Sequence, residues 1–73
     1  MTIGEDRVRT KFNPSANGLV DQIKQKSAEL IDLCAQMPPP DAHSKIGERT
    51  RLLALAMTHY EAAAMWAVKA ATI

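Results

Sequence analysis

A chain of 73 residues has room for one domain at most, and at 47% hydrophobic it carries a globular share of apolar side chains with little interior to hold them. Its single cysteine, Cys34, excludes an intrachain disulfide, and a net charge of +1 argues against a protein that coats nucleic acid through bulk positive charge. No apolar run approaches the roughly 20 residues of a membrane span, and the lone cysteine with no signal peptide predicts a cytoplasmic location.

Residues 1–12 read as an extended or irregular arm. Gly4 and the β-branched Thr2, Ile3, Val8 and Thr10 give no helical period. Asn13-Pro14-Ser15 then supplies an N-cap followed by proline at the first helical position. The spacing predicts a first helix over 14–37, with an arm over 1–13 before it. Its apolar stripe runs 20, 23, 27, 30, 34, 37, in steps of three and four, with Ser27 the polar member. Gly18 weakens the first turn by about 1 kcal/mol relative to alanine. It is there either for a close backbone approach or for no reason the sequence shows.

Pro38-Pro39-Pro40 ends the first helix, because proline lacks the amide donor and drives the residue before it out of the α region. Asp41 and Ser44 are both acceptable caps for a second helix, which is placed at 44–72. Eight of the twenty residues from Leu52 to Ala71 are alanine, the best helix former. Two apolar stripes lie side by side there: Leu52, Leu55, Ala56, His59, Ala63, Trp66, Ala67, and Leu53, Met57, Tyr60, Ala64, Val68, Ala71. A surface that wide is too much for one partner helix. The fold class is therefore all-α: an antiparallel two-helix hairpin over 14–73 with an N-terminal arm, packed with further copies into a homo-oligomeric bundle.

Catalytic chemistry is not legible. Ser15, Ser27 and Ser44 have no nucleophile-elbow context, Asp32 and Glu61 have no matched carboxylate at a telling spacing, and no glycine-rich phosphate loop occurs. His43 and His59 lack neighbours at ligand spacing, so neither a metal nor any other cofactor is expected. Cys34 reads as a buried small hydrophobe, His59 as a partly buried structural histidine and Trp66 as a core or interface residue. The cations cluster: Arg7, Arg9 and Lys11 on the arm, Lys24 and Lys26 on the first helix, Lys45, Arg49 and Arg51 opening the second. They are either a mixed, solvated surface or halves of anion pockets that oligomerisation completes.

Two blocks carry a family resemblance. One is Val8-Arg9-Thr10-Lys11-Phe12-Asn13 with Asp21-Gln22-Ile23-Lys24 and Ala28-Glu29-Leu30; the other runs from Arg51 through Thr58-His59-Tyr60-Glu61 to Met65-Trp66-Ala67-Val68-Lys69-Ala70. Over about residues 8–71 they resemble the helical hairpin of phage cyclic-oligonucleotide sponges, the anti-CBASS proteins, whose hairpin is shared with the anti-Thoeris sponges. The resemblance implies a homohexamer that binds cyclic dinucleotides such as cyclic GMP-AMP in pockets shared between protomers. Some members hold cyclic trinucleotides in a second kind of pocket. It implies sequestration without cleavage, so that host effectors stay inactive; the chain is then a binder and not an enzyme. Its partners are copies of itself and cyclic oligonucleotides, with no nucleic-acid polymer and no membrane.

Carried over by position, Lys24 matches the family's phosphate-contacting lysine, and Arg9 stands where the family has a base-stacking aromatic. A guanidinium also stacks on a base and adds charge. Phe12 is the alternative stacking group, at a shifted position, and Lys11 completes the arm's contribution to the ligand-binding set. Arg51 matches the trinucleotide-site arginine, and Lys26 falls where that pocket has a polar side chain. The competing readings are an adaptor hairpin whose apolar face binds a partner protein's helix, and a small DNA-binding regulator. The second is disfavoured by how apolar the second helix is beyond Arg51.

Overall fold

The protein is all-helical in a computed structural model that describes residues 2–9, 18–38 and 45–73. Three helices follow one another: α1 (Ile3–Val8), α2 (Gly18–Ala35) and α3 (Ile46–Ala71), with no strand among the described residues. The expected cap at Asn13 and Pro14, the residues Lys11 and Phe12, and the candidate caps Asp41 and Ser44 lie outside the described residues.

The N-terminal arm is the first correction, because it is helical where an extended segment was expected. Thr2 and Glu5 form a capping box: the Thr2 hydroxyl accepts from the Glu5 amide at 3.0 Å, and the Glu5 carboxylate accepts from the Thr2 amide at 3.0 Å. This reciprocal pair satisfies two orphan donors of the first turn. Arg9 ends the helix in the left-handed region, φ 61°, with its amide donating to the Glu5 carbonyl. Six residues do not hold a helix in water by propensity alone; packing has to do it.

That packing centres on Gly4. The Gly4 amide donates to Asp32 Oδ1 at 2.7 Å, and a Cβ on Gly4 would lie 1.9 Å from the Ala28 carbonyl oxygen. The close approach that the sequence offered for Gly18 therefore occurs at Gly4, while Gly18 faces open space. From the other end of α1, Arg7 reaches α3, donating to the Thr58 hydroxyl at 3.4 Å and lying 3.6 Å from the Glu61 carboxylate. Thus α1 lies across one face of the α2–α3 pair and ties the two together.

The long helices are antiparallel. Arg49, at the start of α3, donates to the Met37 carbonyl at the end of α2, while Lys24 near the start of α2 is level with Ala64 and Val68 on α3. The last turn of α2 tightens, with the Gln36 and Met37 amides donating to the Leu33 and Cys34 carbonyls ahead of Pro38. α2 thus stops at Ala35, two residues short of the expected end.

The packed face of α2 also differs from the expected stripe. Val20, Lys24, Ala28, Ile31 and Cys34 are buried, whereas Ile23, Leu30 and Met37 stand out in solvent. The docking of α1 decides which face turns inward: Ala28 is fully buried, and its backbone carbonyl lies so close to Gly4 that no side chain fits on Gly4. Lys24 was left off the core stripe for its charge, but its aliphatic stem packs while the ammonium reaches a recess. On α3 the stripe through Leu53, Met57, Tyr60, Ala64 and Val68 turns inward, and Leu52, Leu55 and Trp66 stay exposed.

One further expectation is corrected here: His59 is exposed where a partly buried histidine was expected. Trp66, expected in the core or at an interface, is 59% exposed with the Lys69 ammonium 5.4 Å from its ring centroid, so it lies outside the protomer's core. Both project from the stripe of α3 that faces away from α2. Cys34 is buried, as a small hydrophobe should be.

The result is a thin body of 46 × 22 × 14 Å in which Val20 and Ile31 are the largest fully buried side chains. Twelve large apolar residues remain exposed among those described, an unusual amount of uncovered apolar surface for so small a body. On α2 the exposed set runs Leu19, Ile23, Leu30, Leu33, Met37, and on α3 it includes Leu52, Leu55 and Trp66. At 3.6 residues per turn the α2 set lies opposite the flank that touches α1, whereas Leu55 and Trp66 lie about half a turn from the inward stripe of α3 and face away from α2. One face is capped by α1; exposed apolar side chains line the opposite flank of α2 and the outer side of α3.

Candidate ligand-binding recess

The side of the hairpin that α1 covers holds a recess of about 340 Å³. Each helix contributes to it. α1 brings Arg7, Val8 and, at its end, Arg9; α2 brings Lys24; α3 brings Glu61, Ala64, Met65 and Val68. The floor is apolar because the inward stripe of α3 passes beneath it. The rim is charged, with three cations and one carboxylate that leave it net positive. The left-handed turn at Arg9 ends α1 directly over this recess.

Two of the six residues singled out from the sequence meet here. Arg9 and Lys24, fifteen positions apart in the chain, line the same recess because α1 runs back along α2 from its Gly4–Ala28 contact. Lys24 lines the recess and is only 8% exposed, so it is largely withdrawn from bulk water. A fixed, partly desolvated cation is suited to a phosphate, since charge-assisted hydrogen bonds strengthen as water is excluded.

Of the other four, the two that are described do not line it. Lys11 and Phe12 lie outside the described residues. Lys26 is exposed on the side of α2 that faces away from α1. Arg51 is exposed at the start of α3, paired with Glu48 at 2.5 Å one turn away. Arg51 lies near the prolines and Lys26 midway along α2, on different faces, so one protomer does not bring them together. An exposed pair such as Arg51–Glu48 is worth at most about 1 kcal/mol.

Arg7, which the sequence places only in the arm's cation cluster, and Glu61, Met65 and Val68, which it does not single out as ligand-binding, also line the recess. Arg7 and Glu61 are 26% and 42% exposed, and the pair they make at 3.6 Å is looser than a hydrogen bond. The sequence signal that was available is Thr2-x-x-Glu5, which marks α1 as a helix and so predicts that Arg7 and Arg9 are held in place instead of trailing.

A second recess of about 330 Å³ lies on the same side toward the prolines, between Cys34 and Met37 of α2 and Arg49, Leu53 and Met57 of α3. It has no converging pair of cations beyond Arg7 and Arg49, each already engaged by a neighbour. Among the described residues no helix is long and apolar enough to cross a membrane. No curated protein and no solved structure matches the chain. A family model described as Acb2/Tad1, hairpin domain matches residues 3–72, and so includes α1 as well as both long helices.

Proposed function

The chain belongs to the Acb2/Tad1 hairpin family, the anti-CBASS and anti-Thoeris sponges, and from that membership we propose that it sequesters cyclic di- and trinucleotide second messengers without cleaving them. Blocking the activation of host CBASS effectors is the consequence. The observation that carries this reading is the convergence of Arg9 and Lys24 over an apolar floor. A cyclic dinucleotide presents two phosphates and two flat bases. Lys24 takes a phosphate, Arg9 stacks on or pairs with the ring's other half, and Val8, Met65 and Val68 cover base faces. The members of this family are binders, and a recess without a matched nucleophile and base fits that role.

One recess of about 340 Å³ is at the low end for a small-molecule pocket, and it is open on one side. A ring with two similar halves is enclosed when two copies of the recess meet, so the pocket is completed between protomers. Self-association also answers the fold's main deficit. Burying a leucine or an isoleucine is worth about 1.5–3 kcal/mol, and the hairpin leaves several such side chains in water. We take the assembly to be the hexamer expected of the family. A Leu30→Glu substitution places a charge among the exposed apolar side chains of α2. It should reduce the assembly to smaller species by light scattering while circular dichroism stays helical; an unchanged mass would put the interface elsewhere.

The function is tested by titrating the protein with cyclic dinucleotides and trinucleotides in a calorimeter, then recovering each ligand by heating and chromatography. Binding with intact recovery is expected. Arg51→Ala should weaken trinucleotide binding and spare dinucleotides, since Arg51 and Lys26 lie apart from the Arg9–Lys24 recess and meet only across copies. Equal loss for both ligand classes would show that the two pockets are wrongly assigned, and a folded oligomer that binds neither class would remove the sponge reading. A dimer with no small-molecule affinity is what an adaptor hairpin would give.

A further inference from the structure

Among the described residues, Glu61 is the one carboxylate on the rim of the Arg9–Lys24 recess. A site built only for phosphates gains nothing from it, because a carboxylate repels the ligand's own charge. It does have a use if a base edge rich in donors faces it. A carboxylate offers two acceptor oxygens side by side and no donor. Guanine presents its N1–H and exocyclic amino group side by side, so the two can meet both oxygens at once. Adenine presents one amino group flanked by ring acceptors, which leaves one carboxylate oxygen facing a lone pair. We propose that Glu61 is a specificity-determining residue that reads guanine, so that the preferred ligand is a guanine-bearing cyclic dinucleotide; this rests on the sponge reading of the recess.

The geometry allows it. Glu61 is on the inward flank of α3, one turn before Ala64 and Met65, so a base lying on that apolar floor has its edge near the carboxylate. Its contact with Arg7, at 3.6 Å, is too long to saturate either oxygen. Arg7 has the Thr58 hydroxyl as a further partner at 3.4 Å, so it stays positioned when Glu61 turns to a base. The cations then take the phosphates, the floor takes the base face and Glu61 takes the base edge.

The alternative role for Glu61 is to hold Arg7 in place, and the experiment separates the two. Affinities for cyclic di-GMP and cyclic di-AMP are measured by calorimetry on the wild-type protein, Glu61→Gln and Arg7→Ala. The wild type should favour cyclic di-GMP by about tenfold or more, the discrimination typical of a bidentate contact to a base. Glu61→Gln, which keeps the shape and loses one acceptor oxygen, should bring the two affinities within about threefold. Arg7→Ala should weaken both ligands alike and keep the preference. Equal affinities in the wild type, a preference that survives in Glu61→Gln, or a preference lost equally in Arg7→Ala would each overturn the proposal while leaving the sponge reading in place. Binding of neither ring would remove both.

Discussion

Gly4→Ala is expected to undock α1 and to cost the protein most of its ligand affinity. Two effects oppose each other. Alanine is the better helix former by about 0.5–1 kcal/mol. Against that, its Cβ would fall 1.9 Å from the Ala28 carbonyl oxygen and 2.7 Å from Asp32 Oδ1. The first of these atoms is backbone, so no side-chain rotation relieves the clash and α1 must move away. Overpacking of this kind costs about 1–3 kcal/mol, and the displacement also breaks the charge-assisted bond from the Gly4 amide to Asp32, worth about 1.5–3 kcal/mol. Sterics wins. Hydrogen exchange should show the α1 amides losing protection, and cyclic dinucleotide affinity should fall at least tenfold as Arg7 and Arg9 leave the recess. Gly47→Ala is the control: nothing lies within 4 Å of its Cβ, so the propensity gain stands alone and stability should rise by up to about 1 kcal/mol. Protected α1 amides and unchanged affinity in Gly4→Ala would show that α1 is not held through this contact.

Lys24→Met should separate binding from stability. Methionine keeps the unbranched stem that packs against the hairpin and removes the ammonium that faces the recess. A buried charge is expensive to desolvate, and its loss offsets whatever interaction the ammonium makes in the free protein. The melting temperature should therefore stay within about 4–8 °C of wild type, the equivalent of about 1 kcal/mol in a chain of this size. Affinity for a cyclic dinucleotide should fall by roughly 10- to 100-fold, the loss of one hydrogen bond to a charged group. A large drop in melting temperature would make Lys24 a structural residue first. Unchanged affinity would move the phosphate site elsewhere.

The two long helices were legible because their determinants are local. Three prolines end one, an alanine-rich run without glycine or proline builds the other, and period-3.6 stripes mark both. The short helix α1 was not, because it spans fewer than two turns and owes its existence to Gly4 on Ala28 and Arg7 on Glu61, contacts 24 and 54 residues apart in sequence. The inward face of α2 was misread for a related reason. Hydropathy ranks Ile23 and Leu30 above Lys24 and Ala28, but α1 docks through Gly4 on the Ala28 backbone and buries that flank of α2, where a lysine stem packs as hydrocarbon.

The recess was half legible. Arg9 and Lys24 were picked by their position relative to a family pattern, and the fold lines both along one hollow. Glu61, Met65 and Val68 gave no signal, since their relevance comes only from the tilt that brings α1 over that part of α3. His59 reads from the sequence as partly buried and Trp66 as a core or interface residue, and both stand exposed on the outer side of α3.

The central claim is that copies of the chain close around an intact cyclic dinucleotide, and native mass spectrometry of the protein mixed with cyclic GMP-AMP tests it in one spectrum. The account predicts a homohexamer carrying several ligands, each released on activation at its unaltered mass. A ligand-bound monomer, an assembly that takes up no ligand, or a released product heavier by a water would contradict it.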